Sequence, residues 1–310
     1  MGRLVDGIWH VSSVITSDGM GSYDRLPRTF LETISSSHSL YRPEANRYHL
    51  YVSYACPWAT RTLIYRQLKG LADYISVDVV HPDMGDDGWI FDDTFEGSSR
   101  DSLHGFKFLR QVYLEADPLA STSVTVPILW DKKTGSIVNN ESSQIIRIFN
   151  SAFNDLSGNT DDFYPSSLRR EIDDLNEKIY QTVNNGVYKT GFATNQESYD
   201  EAVTSLFDTL DELDQRLTNS KYLLGDEITE ADLRLIPTLL RFDVVYFTHF
   251  KCNWKRIVDY KNLHRYMLDL YSVPAIKDTC HLDHMKRHYY FSHRGINPQR
   301  IIPKGPQKIF

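Results

Sequence analysis

A chain of 310 residues, 41% apolar and 24% charged, is long enough for two cored domains. Its net charge of −7, with no long basic run, argues against nucleic acid and anionic membrane as partners. The opening Met1-Gly2-Arg3-Leu4-Val5-Asp6-Gly7 lacks a secretory h-region, no stretch approaches the roughly 20 apolar residues of a membrane span, and three cysteines cannot build a disulfide framework, so a reducing cytoplasm is expected.

Residues 1–46 read as an irregular arm, with Pro27 and Pro43 and one short helix candidate around Phe30, Leu31 and Ile34. An α/β domain is expected over 47–154. It opens on an alternating strand from Arg47 to Tyr54, and Cys56-Pro57 then leads into a helix over 57–70. Leu63, Ile64, Leu68 and Leu71 share that helix's apolar face, and Gly70 is its stop. A strand over 74–80 follows. Residues 83–106 form a long Gly-, Asp- and Ser-rich loop carrying Trp89, Phe91 and Phe95, a length more often functional than idle. Next come a helix over 106–116, strands over 125–130 and 136–138 joined by a turn from Asp131 to Gly135, and a helix opening at Glu141-Ser142-Ser143. This order matches a thioredoxin-like domain. Helical patterns then dominate over 166–185, 196–218, 229–247 and 262–271 without a convincing strand, predicting an all-helical domain over 166–290 and a tail, 291–310, packing back on the domains. The fold class is therefore α/β plus all-α. Within the helical half, Thr229 with Asp232 three residues on resembles a capping box, and Asp232 reads as structural.

The strand–Cys–Pro–helix order sets the Cys56 thiol at a helix N-terminus, where unpaired N–H groups and the helix dipole favour an anion and hence the nucleophilic thiolate. Proline suits the first helical position because its missing N–H had no partner to lose. A buried free cysteine acting as a small hydrophobe is the alternative; the helix-start context favours the reactive thiol. Ala59 stands where a second cysteine of a Cys-x-x-Cys pair would be, so the chemistry is monothiol and any disulfide formed on Cys56 must be resolved by an external thiol. Pro127 interrupts a strand, which a cis Val126–Pro127 bond would explain, leaving the Val126 backbone free for an extended peptide ligand. Glu141 and Ser142 at a helix start offer a carboxylate for an ammonium, and a hydroxyl and N–H groups for a carboxylate. Thiolate, pairing edge and amino-acid clamp together describe a glutathione site. His281, His284, His288 and His293 are spaced for a metal cluster, but Cys280 alone does not complete a zinc set, and no metal is expected; His249 and Cys252 read as packing.

The Cys56-Pro57-Trp58-Ala59 stretch, Thr125 to Asp131, Asn140-Glu141-Ser142, Tyr188 to Ala193, and the tail from His288 through Ile296-Asn297-Pro298 to Pro306 resemble cysteine-type glutathione transferases. The resemblance points to the Xi class, the glutathionyl-hydroquinone reductases, allied to the omega class, and covers nearly the whole chain from Tyr41. It implies a two-domain fold, glutathione as co-substrate and a homodimer. It also implies Cys56 as nucleophile, Trp89 packed on glutathione, Val126 pairing with its cysteinyl backbone, Glu141 and Ser142 on its γ-glutamyl end, and Tyr188 and Tyr289, or Tyr290 in place of Tyr289, facing an aromatic or thiol-adduct substrate. Thr60 and Ser123 depart from the pattern, which has His and Arg there; the departure bears on affinity more than on reaction type, with either weaker glutathione binding or substitution of the missing cation by Arg61 or Lys107 as the expectation. The rival readings are a general omega-like thiol transferase or dehydroascorbate reductase using the same cysteine, and a non-catalytic binding module on the same fold.

Overall fold

The computed structural model of the chain describes residues 2–11, 21–23 and 28–307; Met1, residues 12–20 and 24–27 of the arm, Pro27 among them, and residues 308–310 of the tail lie outside the described residues. The chain divides into two units, Met1–Val14 with Leu26–Asp161, and Ile15–Arg25 with Asp162–Phe310.

The first unit begins with an antiparallel hairpin, β1 (Gly2–Val5) and β2 (Ile8–Val11), where the irregular reading of the arm expected none. Its turn is Asp6-Gly7 with φ of 49° and 76°, the left-handed pair a two-residue hairpin requires. The buried Leu4 exchanges both backbone hydrogen bonds with Thr122 at 2.9 and 3.0 Å, tying the hairpin to the domain. A four-stranded mixed sheet follows, in the order β4 (Ile75–Val79), β3 (Tyr48–Val52), β5 (Ile128–Asp131), β6 (Ser136–Asn139), with β3–β4 parallel and the other pairs antiparallel. All five residues of β3 are buried, as expected of a central strand covered on both faces. Arg47 and Asp131 form a buried bidentate pair at 2.8 and 2.7 Å that clamps the β3 and β5 ends; removing one partner would strand a buried charge at a cost of about 3–5 kcal/mol. Helix α1 (Pro57–Leu68) connects β3 to β4 and packs against α3 (Ser142–Ser151). Gly70, with φ of 65°, ends α1 as its sequence position suggests.

The helix candidate at Phe30–Ile34 is not realised. Five residues cannot meet the cost of helix nucleation, and the segment lies extended along β6 instead. Glu32 N–H donates to Val138 O, Asn140 N–H donates to Phe30 O, and Leu31 bridges Asn139. The arm thus covers an edge that would otherwise leave unpaired backbone groups. The loop after β4 is organised by Asp101, which accepts from Tyr51 OH and from the Leu103 and Phe106 N–H groups, and leads into α2 (Leu109–Ala116); the short α4 (Asn154–Ser157) follows α3.

The second unit is helical, with no strand among its described residues. Helix α5 (Arg169–Ile179) runs through a π-helical turn (Tyr180–Asn184) into α6 (Gly186–Phe192), then the 21-residue α7 (Gln196–Arg216). Helix α8 (Glu230–Arg241) passes through a second π-turn (Phe242–Tyr246) into α9 (Phe247–His249). After α10 (Lys261–Tyr271) and the short α11 (Pro274–Lys277) comes α12 (Leu282–Ser292). Gly191 abuts Phe250 so closely that an added Cβ would sit 2.2 Å from the ring, which excludes any other residue without movement. The tail turns back along α12: Asn297 Nδ2 donates to Tyr290 O at 2.7 Å and Lys286 Nζ to Lys304 O at 2.9 Å.

Candidate active site

Cys56 is the N-cap of α1, in extended conformation (φ −81°, ψ 120°), with Pro57 as the first helical residue. Its own N–H is satisfied by Ser53 O at 3.1 Å, and its carbonyl takes both the N–H and the Oγ1 of Thr60 at 3.0 Å. Its thiol caps nothing in the helix. The half-buried Sγ lies 3.7 Å from Val126 O, so the structure brings the two expected residues together. Cys252 and Cys280 differ: burial pushes the Cys252 thiol well up and Cys280 up to about 11, so both stay protonated at neutral pH.

The Val126–Pro127 bond is cis. Strand β5 starts only at Ile128, and the Val126 N–H finds no hydrogen-bond acceptor among the described residues. Tyr113 OH donates to Thr125 O at 2.9 Å and steadies the segment. Glu141 is the N-cap of α3. It accepts from Ser143 N at 2.9 Å, Ser143 Oγ at 3.0 Å and Ser142 Oγ at 3.4 Å, all on Oε1, which leaves Oε2 for a ligand. Burial alone would raise its pKa, but the Ser143 N–H, the Arg28 charge, the Ser143 hydroxyl and the Arg61 charge outweigh it and hold the carboxyl below its ordinary value. A carboxylate with a depressed folded pKa contributes stability above its unfolded pKa and loses it as pH falls through the folded value; Glu141 therefore keeps its charge into mild acid.

Trp89 is buried, and its carbonyl accepts the Leu109 N–H at 3.0 Å, fixing the head of α2. Of the two expected substitute cations, Arg61 is buried with its guanidinium 4.5 Å from the Trp58 ring centre, while Lys107 is exposed with its ammonium over Phe108. Arg28, whose charge helps to hold the Glu141 carboxyl down, is a cation that sequence reasoning passed over.

In the second unit, Tyr188 and Tyr289 meet hydroxyl to hydroxyl at 2.5 Å, and Tyr246 OH stands 3.1 Å from Tyr289 OH. Tyr246 was not anticipated; its position depends on the π-turn, which no simple period reveals. Tyr290 OH, by contrast, donates to Val244 O at 3.3 Å. Tyr188 is 9% exposed and Tyr289 2%, so Tyr188 is the more accessible of the two. Burial first, then the neighbouring Tyr188 and Tyr246, raises the Tyr289 pKa well above that of an ordinary phenol, keeping it a neutral donor.

Behind the tyrosines, His249 Nε2 and His293 Nδ1 share a hydrogen bond at 3.1 Å. Burial, with His288 and Lys251 adding repulsion, lowers His249 to about 4, and burial likewise lowers His293. Among the described residues, no group of three His, Cys, Asp or Glu is placed to hold a metal ion. A histidine with a depressed folded pKa binds protons in the unfolded chain first, so its stability contribution is intact above about 6.5 and lost as pH falls toward its folded value. From His249 alone the loss at pH 5 is roughly 2 kcal/mol. The melting temperature is expected to drop between pH 7.5 and 5, and to drop less in His249→Gln; an equal drop in the variant would contradict the assignment.

Sequence models of the glutathione S-transferase N-terminal and C-terminal domains match residues 55–152 and 196–268. The chain is 51% identical to the glutathionyl-hydroquinone reductase YqjG of Escherichia coli K12, over 99% of this chain and 95% of that protein. It is 49% identical to the glutathionyl-hydroquinone reductase PcpF of Sphingobium chlorophenolicum, over 99% and 96%. Among solved structures, it is similar to the glutathione transferase Xi of Phanerochaete chrysosporium, with TM-score 0.93, 51% identity and coverage of 96% and 98%. It is also similar to glutathione-bound YqjG, with TM-score 0.92, 49% identity and coverage of 99% and 96%.

Proposed function

Because this chain belongs to the Xi-class glutathione transferases, the family of the glutathionyl-hydroquinone reductases, we propose that its reaction runs through a mixed disulfide on Cys56. It is an enzyme that reduces glutathionyl-hydroquinones to hydroquinones with glutathione as co-substrate. The observation that carries the mechanism is the thiol itself: it heads α1, caps nothing, and lies against the carbonyl before a cis proline.

The Cys56 thiolate attacks the sulfur of the glutathionyl-hydroquinone. An S–S bond forms between Cys56 and glutathione, the aryl C–S bond breaks, and its electron pair stays on the ring carbon, which takes up a proton. The ring is thereby reduced and the two sulfurs are oxidised. A second glutathione, as thiolate, attacks the glutathionyl sulfur of the mixed disulfide, releasing glutathione disulfide and the Cys56 thiolate. Ala59 fits this route, because no neighbouring thiol competes with glutathione for the mixed disulfide. Trp89 packs on the tripeptide, the Val126 backbone pairs with its cysteinyl residue, and Glu141 and Ser142 take its γ-glutamyl end. Tyr188 and Tyr289 donate hydrogen bonds to the ring oxygen while charge develops on the ring, a role supported by the neutral, buried state of Tyr289. Free Cys56, Cys252 and Cys280 support residence in the reducing cytoplasm, and a homodimer follows the class.

Turnover compared on glutathionyl-hydroquinones, glutathione mixed disulfides and dehydroascorbate tests the substrate reading. The first class is expected to be preferred, and preference for dehydroascorbate would contradict it. Tyr289→Phe is expected to lower kcat about 10- to 100-fold on the hydroquinone adduct. It should leave exchange of a simple glutathione mixed disulfide unchanged, since that step develops no ring charge. Equal losses on both substrates would remove Tyr289 from the ring chemistry.

A further inference from the structure

We propose that Ser76 is a second nucleophile of this chain, activated by His49 and Asp78, and that it takes the acyl group of small activated esters at the edge of the sheet. The site is separate from Cys56 and does not depend on its chemistry.

The constellation follows from the register of β3 and β4. The two strands run parallel with His49 opposite Ser76. Asp78, two residues beyond Ser76, lies on the same face of β4, because side chains alternate along a strand. Ser76 Oγ and His49 Nδ1 are 2.8 Å apart, and His49 Nε2 stands 3.3 Å from Asp78 Oδ2, an ion-pair distance. His49 and Asp78 are buried, whereas Ser76 is exposed. The Tyr51 ring packs edge to face on the imidazole, with centroids 4.5 Å apart, and its hydroxyl donates to Asp101 at 3.0 Å.

Charge assigns the roles. Asp78 Oδ2 accepts from the Ser102 N–H at 2.6 Å and from Ser102 Oγ at 2.8 Å. Burial would raise its pKa, but the bonds from His49 and Ser102 outweigh it and hold the carboxyl below its ordinary value. A carboxylate beside Nε2 favours the neutral imidazole tautomer with its proton there. Nδ1 is then an acceptor, and Ser76 donates the 2.8 Å bond. Nucleophile, base and orienting carboxylate stand in the order that activates a hydroxyl.

Backbone geometry adds a donor for the carbonyl oxygen. Strand β4 is the outer strand of the sheet. Ile75 O accepts from Arg66 Nε at 2.7 Å and the Val79 N–H donates to Ser99 Oγ at 2.9 Å, so both residues turn their backbone outward. By alternation Val77 does the same, and its N–H finds no acceptor among the described residues. That N–H, on the residue after the nucleophile, is placed for the oxyanion of an attacked ester. A bond forms between Ser76 Oγ and the acyl carbon, the ester C–O bond breaks, and its electron pair leaves with the aryloxide. The proton passes from Ser76 to His49, where Asp78 stabilises the imidazolium, and then to the aryloxide or water. An exposed strand edge suits small acyl groups on a good leaving group.

The test uses p-nitrophenyl acetate on the full chain carrying Cys56→Ser, whose other thiols burial keeps protonated. A p-nitrophenolate burst of about one per chain is expected, with acetyl on the Ser76 peptide about tenfold or more above any other serine. Ser76→Ala in this background should abolish the burst, and His49→Gln should slow acylation about 100-fold with Ser76 still present. A hydroxyl that merely satisfies a buried imidazole would be acetylated no faster than other exposed serines, and that result would overturn the proposal. A burst surviving Ser76→Ala, or acylation at the unsubstituted rate in His49→Gln, would overturn it as well. Should His49→Gln fail to fold, the peptide map of the chain with His49 intact decides alone.

Discussion

Replacing Cys56 with serine is expected to lower kcat/KM on glutathionyl-hydroquinones by about a thousandfold or more. Serine keeps the size of the side chain and its place at the head of α1, but its hydroxyl is not ionised at neutral pH and cannot form a disulfide with glutathione. Neither Cys252 nor Cys280 can stand in, since burial keeps both protonated. The fold should survive, because the thiol is only half-buried, caps nothing in α1, and serine can keep its polar contact with Val126 O. Activity lost with an unchanged melting temperature is therefore the expected pair of results. Activity kept at the parent level would mean that the sulfur is not the nucleophile.

A loss of stability as large as that from breaking the Arg47–Asp131 pair is expected from Asp232→Ala. This fully buried carboxylate accepts four hydrogen bonds. Thr229 N and Oγ1 donate to Oδ2 at 2.8 and 3.0 Å; Leu223 N and Tyr266 OH donate to Oδ1 at 3.0 and 2.8 Å. One residue thus caps α8, holds the Tyr222–Gly225 turn before it and anchors α10. Alanine would leave these donors buried without acceptors, at a cost of about 3–5 kcal/mol. Asp232→Asn keeps the shape but points an NH2 at donors and should cost about half as much. Denaturant midpoints measure both. A loss under about 1 kcal/mol for the alanine variant would show that solvent or rearrangement satisfies the donors.

What could be read from the chain alone follows from how local each signal is. Cys56-Pro57 after an alternating run places a helix start without tertiary knowledge, because proline and the end of strand periodicity both act within a few residues. The Thr229–Asp232 capping box is equally local and appears as expected. Pro127 inside a strand pattern announced an irregular bond, and the Val126–Pro127 peptide is cis. The hairpin was missed although Asp6-Gly7 between apolar residues carried its signal; the surrounding Ser and Gly residues masked it. The extended path of residues 30–34 could not be read locally, since its partner is the β6 edge more than 100 residues away. Arg28 was overlooked for the same reason: what matters about it is the distant Glu141. The place of Tyr246 and the different partners of Tyr289 and Tyr290 depend on a π-turn and on how α12 meets it, and helical periodicity cannot orient two adjacent residues.

The central claim is that glutathione becomes covalently bound to Cys56 during turnover. Mass spectrometry of the chain quenched after mixing with a glutathionyl-hydroquinone, without free glutathione, tests it directly. One glutathione per chain is expected on the Cys56 peptide, with hydroquinone released in equal amount and the adduct lost when free glutathione is added. Hydroquinone released with Cys56 unmodified, or the adduct on Cys252 or Cys280, would contradict it.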